Sequence, residues 1–591
     1  MVNGRQSGYG DDCSGIIAIE LPPLERTAAF SPEGATVTEL TLDHYPDHAE
    51  IVTLLKRWRN EYPDLLTLET IGTSTDGRPL LSATVTDRRE GAPADKPAIY
   101  IEGNIHAGEV LPSVVSLETI QVLLSRSAES DVAELLSRYT FYIRPRVSPD
   151  GAEVYLKTPH RLRSGPIPWP SPTRQPGLHP EDVNGDGQIT LMRLRDPHGE
   201  WYVSRLDPRI MVRCESDTPA EDRYQLVQEG TVEGPVGANL TAAPAWWGLD
   251  FNRSFPQNWK PEHEQFGAGP YPLSMPETRA TADFFLAHPN IFAAVLYHTS
   301  GGFIFTLPSS QPLASYPHDD LTAEYRTLTE DYVRLTGCPA FPSYEEETDT
   351  ARSGSLMDWS YSQMGVLTWV PELWDIQKAS GARPERVAPF QALDEDAEQR
   401  MLHWNDDVLG GDGFIDWVPF DHPQLGPVEI GGWTFKFTHQ NAPPAFIGDV
   451  AGPAIDWSFL VARSAPRLEI ESVDVTGLGE DHWLVTVRVA NVGYLPTNVC
   501  QQAIDVRRAP PVSVSLAGDG ATVLDGAGRQ TIGHLKGESA SVDEPWRGPI
   551  ASRRRADVRF VVQAVAGSEV TVTAMGSRAG RASTTVVLAG A

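Results

Sequence analysis

The sequence predicts an α/β layer fold, a mixed and mostly parallel sheet flanked by helices, followed by a C-terminal antiparallel β-sandwich. Three observations carry this prediction. Short β-branched and aromatic runs alternate with longer helical patterns over most of the chain, which is the grammar of a parallel sheet. Two of the most apolar runs break into turns that each deliver a histidine, His106 and His298. Beyond about Pro466 the spacing changes to period two, with Gly, Asp and Pro between short runs, as in a β-sandwich.

At 591 residues the chain exceeds one ordinary domain. Residues 1–40 read as an irregular lead-in, 41–465 as one α/β domain with a long insertion at about 152–249, and 466–591 as the sandwich. Asp47 and Glu50 form a capping box ahead of the helical stripe Ile51, Leu54, Leu55 and Trp58. Residues 80–86 and 97–102 read as strands, 110–124 as a helix with Pro112 near its start, where proline is tolerated, and 139–144 as another strand. From 148 to 245 the periodicity dissolves, and the stretch reads as loops laid over the scaffold. Regular structure returns with a helix at 276–288 and strands at 291–297 and 365–370. In the last part, Val485, Val487 and Val489 and then Val558, Phe560 and Val562 alternate as half-buried strands do.

Composition narrows the function. With 79 acidic against 48 basic residues, the net charge of −31 excludes binding to a nucleic-acid backbone, which needs a basic face. The excess acid reads as a well-solvated surface. No run of 18 apolar residues occurs, so no membrane span is predicted. Residues 1–12 lack the basic-then-apolar layout of a secretory signal. The expectation is a cytoplasmic protein, or a secreted one whose leader has been removed. Cys13, Cys214, Cys338 and Cys500 are far apart and form no Cys-x-x-Cys pair, so neither a cysteine zinc site nor a disulfide scaffold is indicated. Nothing indicates an oligomeric state.

The chemistry concentrates in a few places. His106 and Glu109 stand three apart at the opening of a helix and share a face. They follow a strand, where open α/β sheets keep their ligand sites. Zinc accepts an imidazole nitrogen and a carboxylate oxygen, and a catalytic zinc takes three protein ligands. His298 ends the run 291–297 and could be the third. Asn252 and Arg253 together offer an amide and a planar guanidinium to a carboxylate. Asp250 could accept the free N–H of a metal-bound imidazole. Glu372 closes an apolar strand, a costly place for a carboxylate unless it serves a site, and it could take a proton from water. Asp182-Val183-Asn184-Gly185-Asp186-Gly187-Gln188-Ile189 follows the calcium-loop rule, although the twelfth position is Arg193 instead of glutamate. Two readings stand: calcium held by Asp182, Asn184 and Asp186, or a turn that needs no ion.

The ordered set His106-x-x-Glu109, the turn 144–151, Asp250-x-Asn252-Arg253, His298, Asp358-Trp359 and Pro371-Glu372-Leu373 resembles the zinc metallocarboxypeptidases related to carboxypeptidase A, over roughly residues 40–440. The resemblance implies that His106, Glu109 and His298 hold one zinc per chain and that Glu372 is the general base and later the acid. It implies that Asn252 and Arg253 grip the terminal carboxylate of a peptide, and that Asp250 orients the first zinc histidine. Arg163 matches the arginine that stabilises the oxyanion, with Arg161 a close competitor. Tyr344 is the nearest counterpart of the family's mobile tyrosine, but it stands beside Glu345, Glu346 and Glu347 with its spacing off. Gly108 replaces a substrate-binding arginine of some relatives, and Met357, near the specificity position, suggests an apolar preference. The implied function is hydrolysis of the C-terminal peptide bond of peptides with a free carboxylate. The alternatives are a peptidase of cell-wall peptides or an amidase with the same metal centre, and a noncatalytic binding protein on this scaffold. Retention of Glu372 speaks against the last.

Overall fold

The computed structural model describes residues 40–237, 240–316, 318–321, 324–344, 352–383, 393–526, 528–539 and 554–589. The chain enters through α1 (His48–Glu61), whose capping box is complete: Asp47 Oδ1 accepts from Glu50 N, and Glu50 Oε2 accepts from Asp47 N. β1 (Leu66–Thr73) and β2 (Pro79–Val85) pair antiparallel. In β3 (Ala98–Gly103) every residue is buried, with no alternation, because helices cover both faces of a parallel strand. It is followed by α2 (Leu111–Ser125), α3 (Ser130–Arg138), β4 (Thr140–Arg144) and α4 (Pro149–Lys157).

The stretch read as loops also contains six short strands. It holds β5 (Gly177–Pro180), β6 (Leu191–Arg195), β7 (Trp201–Val203), β8 (Met211–Arg213), β9 (Arg223–Gln228) and β10 (Gly230–Glu233). Beyond it come α5 (Pro276–Ala287), β11 (Ile291–Tyr297), β12 (Phe303–Thr306), α6 (Glu324–Thr336), β13 (Ala340–Pro342), α7 (Leu356–Met364) and β14 (Leu367–Glu372). Then follow α8 (Ile376–Ala379), α9 (Glu395–Val408), β15 (Phe414–His422), β16 (Gly426–Trp433) and α10 (Ile447–Arg463). β15 and β16 join the insertion in one six-stranded sheet, β15-β16-β6-β9-β7-β8, while β10 pairs with β5. The insertion strands are short, and β6 pairs with the distant β16 as well as with β9, so a local window sees no period in them.

The main sheet has eight strands in the order β1-β2-β4-β3-β11-β14-β12-β13. Its middle four, β4-β3-β11-β14, are parallel. From β3 the chain moves to β4 on one side, and from β11 to β14 on the other. The crevice between the carboxyl ends of β3 and β11 is therefore a topological switch point, the usual ligand position in such sheets. The stretch Pro444–Arg463 is long and apolar enough to cross a membrane and is 61% buried in the molecule. Its helix, α10, packs on α2, α6, β3 and β11 as a core helix.

The sandwich comprises β17 (Leu468–Gly479), β18 (His482–Asn491), the short α11 (Gln501–Asp505), β19 (Val512–Ala517), β20 (Thr522–Val523), β21 (Arg529–Gly533), β22 (Arg555–Gln563), β23 (Glu569–Gly576) and β24 (Gly580–Val587). Two four-stranded antiparallel sheets, β17-β18-β22-β20 and β21-β19-β23-β24, enclose a core that includes Val485, Val487, Val514, Phe560, Val570 and Val572. The sandwich grips the α7–β14 junction. Arg578 is buried and donates to Met364 O at 2.5 Å and to Gly365 O, and Cys500 Sγ contacts Gly365 O at 3.2 Å. Gly365 sits at φ 62° as the left-handed C-cap of α7. A Cβ there would lie 2.4 Å from Ala503 Cα, so only glycine fits beneath α11.

Candidate metal centre

β3 ends in a turn organised by Asn104. Its φ of 67° is a left-handed conformation that asparagine tolerates better than most residues. Its Nδ2 donates to His106 O, Ala107 O and Glu109 O at 2.9, 3.0 and 2.9 Å, so one amide shapes the whole ligand-bearing turn. α2 has no cap from its own preceding residues. Asn441 supplies one from a distance, accepting from Leu111 N at 2.9 Å and donating to Gly108 O at 2.8 Å. A Cβ at Gly108 would lie 2.8 Å from Tyr155 and 2.9 Å from Gln440, so the position has no room for a larger side chain while those two stay put.

His106, Glu109 and His298 converge, with ligand atoms within 4.8 Å of one another and all three residues buried. His106 Nδ1 lies 2.7 Å from Glu109 Oε1, and His298 Nδ1 lies 2.9 Å from Glu109 Oε2. The second contact lacks hydrogen-bonding geometry and leaves His298 Nδ1 a buried nitrogen with no partner. Such an orphan costs about 1–3 kcal/mol. On the other side of its ring, His106 Nε2 faces Asp250 Oδ1 at 3.2 Å. Both Nδ1 atoms therefore point toward one carboxylate, and the His106 ring is held from behind. Two imidazole nitrogens and a carboxylate oxygen form the donor set that zinc takes in a catalytic site, so these residues fit the ion.

The charges agree with a cation site. Burial raises the pKa of Glu109, but His106 and His298 outweigh it and hold the carboxyl well below its usual range. Burial likewise acts to raise Asp250, and Arg163, Arg253 and His106 together hold it well below. Burial pushes Glu372 up to about 8, with His298 and Arg163 opposing and Glu109 adding to the rise. Glu372 is the last residue of β14, bridged through its backbone to His298 on the neighbouring strand.

The remaining predicted residues fall in distinct places. Arg163 reaches the centre, donating from Nε to Asp250 Oδ2 at 2.9 Å and approaching Glu109 Oε1 at 3.4 Å. Its competitor Arg161 turns away and lies over the Phe435 ring at 4.3 Å. Asn252 and Arg253 follow Asp250 in a single helical turn, which Asp250 caps by accepting from Asn252 N at 2.8 Å. Asn252 Oδ1 accepts from Leu356 N at 2.9 Å, which ties this turn to the start of α7. Beside Met357, Asp358 is buried and accepts from Tyr316 Oη at 2.7 Å, from Asn258 Nδ2 at 3.4 Å and from Ser310 Oγ. Tyr344 is buried, its backbone amide bound to Pro308 O, and Glu345, Glu346 and Glu347 lie outside the described residues.

The loop carrying Asp182, Asn184 and Asp186 stands apart from the centre. Asp182 accepts from the amides of Gly185, Asp186 and Gly187, Asn184 Oδ1 from Asp186 N, and Asp186 Oδ1 from Gln188 N. These are the bonds of an ion-free Asx turn, and the calcium reading gains no support from them. Sequence reasoning missed Asn104, Asn441 and Gln440. The one signal available was the Asn directly after the β3 run, a residue type suited to a left-handed turn.

Comparison with known proteins bears on the same residues. The family model described as zinc carboxypeptidase matches residues 51–401, and a model for a domain of unknown function matches 467–587. Carboxypeptidase B of Astacus astacus is 37% identical over 119 residues, 20% of this chain and 37% of that protein. Zinc carboxypeptidase A 1 of Drosophila melanogaster is 30% identical over 26% of this chain and 36% of its own length. The chain thus spans little more than a third of those two relatives. The zinc carboxypeptidase of Simulium vittatum is 30% identical over 318 residues, 54% of this chain and 81% of that protein. Among solved structures, bovine thrombin-activatable fibrinolysis inhibitor, in complex with a tick carboxypeptidase inhibitor, aligns with a TM-score of 0.40 at 17% identity over 71% of this chain and 97% of that one.

Proposed function

This chain belongs to the zinc carboxypeptidase family, and from that premise we propose that it is a zinc-dependent carboxypeptidase that removes the C-terminal residue of peptides. One observation carries the reading. Two buried imidazole nitrogens and the Glu109 carboxylate converge at the switch point of the sheet, with Glu372 on the next strand and two arginines alongside.

His106, Glu109 and His298 would hold the ion. Zinc, when bound, supplies Lewis acidity toward a carbonyl oxygen and toward water. The chain's own residues do the rest. Glu372 takes a proton from the attacking water and returns it to the leaving amine, a task suited to a carboxyl whose burial has moved it toward neutrality. Asp250 keeps the His106 ring aligned and holds Arg163 in place. Arg163, braced on Asp250, offers its outer N–H groups to the oxyanion that develops on the scissile carbonyl. Arg253 and Asn252 grip the terminal carboxylate. The Asn252 Oδ1 bond to Leu356 N leaves the Asn252 amide N–H groups for the substrate.

The test is a pair of peptides identical except for the C-terminus. Amidation removes the charge that Arg253 would bind, at a cost of about 1.5–3 kcal/mol, so kcat/KM for the free acid should exceed that for the amide by about tenfold or more. Equal cleavage of both, or cleavage mainly at internal bonds, overturns the reading in favour of an endopeptidase or amidase.

A further inference from the structure

A second cleft of about 680 Å³ opens beside the metal centre, walled mostly by the insertion and on the far side by Phe435 and Gln440. That volume is in the range of ligand sites. Two residues connect it to the chemistry, Arg163 through its side chain and Gln440 through its backbone carbonyl. Arg163 lines it and also touches Asp250 and Glu109. Gln440 lines it, and its carbonyl accepts from Thr299 Oγ1 at 2.9 Å, next to His298. Neither Asn252 nor Arg253 lines the cleft.

Its charge is opposite to that of the molecule. Arg161, Arg163 and Arg174 line it together with His160 and His179, and no Asp or Glu among the described residues does, in a chain of 79 acidic and 48 basic residues. Two of the three arginines have counter-charges: Arg163 bonds Asp250, and Arg174 has Glu181 at 3.8 Å. Arg161 has none. Among the described residues it makes no hydrogen bond or ion pair, and its guanidinium rests on the Phe435 ring at 4.3 Å. Its uncompensated charge adds to burial in depressing the pKa of the neighbouring Lys436 and His439. A planar guanidinium, partly desolvated and fixed by stacking, is suited to a carboxylate, which it binds through two parallel hydrogen bonds.

We infer that this cleft seats the part of a peptide substrate on the amino side of the scissile bond, and that Arg161 binds a carboxylate side chain there. The inference deepens the carboxypeptidase reading and rests on it. With the substrate's own end held by Asn252 and Arg253, only residues upstream of the bond can enter a cleft that lies past Arg163. Trp246, Trp247 and Phe266 supply the apolar wall for the rest of the segment. The preferred substrates are peptides with Asp or Glu close upstream of the C-terminal residue, and Arg161 is a specificity-determining residue.

The experiment uses the zinc-loaded protein and peptides that differ only by Glu or Gln in the two positions before the C-terminal residue. Wild type should show kcat/KM about tenfold or more higher for Glu, the span of a charge-assisted bond. Arg161→Gln should bring that ratio to about one, and Arg161→Lys, which keeps the charge but not the fork, should retain part of it. Equal use of Glu and Gln peptides by wild type, or an unchanged ratio in Arg161→Gln, overturns the inference. Calorimetric titration of zinc-loaded Glu372→Gln protein with the same peptides reads binding without turnover, and a lower Kd for Glu is expected. Cleavage with no Glu preference in either measurement sinks the cleft assignment and leaves the carboxypeptidase reading standing. Absence of cleavage of any peptide, with an Arg161-dependent difference in Kd, sinks the activity and keeps Arg161 as a carboxylate site.

Discussion

The metal centre and the 182–188 loop both present oxygen or nitrogen donors in a spacing that suggests an ion, and the structure treats them oppositely. The centre gathers His106, Glu109 and His298 from the ends of two strands and buries them. It leaves His298 Nδ1 without a partner and Glu109 between two imidazoles. The loop keeps its donors within one short segment, mostly exposed, and its own amides satisfy them. The difference lies in where the unmet demand sits. A buried site with an orphaned nitrogen and an ionised carboxylate is stabilised by a cation. A turn whose carboxylates already accept backbone hydrogen bonds gains little from one.

The comparison can be broken most decisively at His298. His298→Ala removes one of three ligands, and zinc content and peptide cleavage should be lost together, as read by metal analysis of the purified variant. Full zinc occupancy in that variant would place the ion elsewhere. Glu372→Gln keeps the ligand set and removes the proton acceptor. Turnover should fall by about 10²- to 10⁴-fold while zinc stays bound, and near-normal turnover would mean that another group activates the water. Asp250→Asn leaves His106 in place but weakens what holds its ring, so zinc affinity measured against a competing chelator should drop by about 10- to 100-fold. An unchanged affinity would show that Arg163 and the Asn104 turn suffice to fix the ligand. At the loop the effects should be small. The melting temperature should not move with calcium, and Asp182→Ala should cost only about 1–2 kcal/mol through the lost amide bonds. A melting temperature that rises with calcium would put the loop back beside the centre as an ion site.

The parts of the molecule that were legible in sequence share one property: their signal is local. β3 and β11 are continuous apolar runs because helices cover both faces, and each His that ends such a run stands out. The Asp47–Glu50 box and the period-two sandwich strands are likewise short-range patterns. The resemblance to a family added roles that spacing alone could not assign. What escaped is long-range. β6 pairs with β16 across the whole middle of the chain, so the insertion read as loops. Asn441 caps α2 from 330 residues away, and no window around α2 contains it. The choice between Arg161 and Arg163 needed three dimensions, because a single loop residue, Leu162, separates a guanidinium on Asp250 from one on an aromatic ring. Tyr344 was a match by family order, and its burial beside Pro308 is a tertiary fact.

The clasp of Arg578 on α7 sets an order on the molecule's birth. A chain leaving the ribosome presents its amino end first, and domains fold as they emerge. By the time Arg463 is out, every residue of the metal centre has been made, including Glu372 on β14. The carbonyl of Met364, at the head of that strand, still waits for a guanidinium 214 positions later. Until that arrives, the Met364 and Gly365 carbonyls, just ahead of the strand that ends in Glu372, lack the Arg578 guanidinium. The segment that carries Arg578 thus clasps a helix end made long before it.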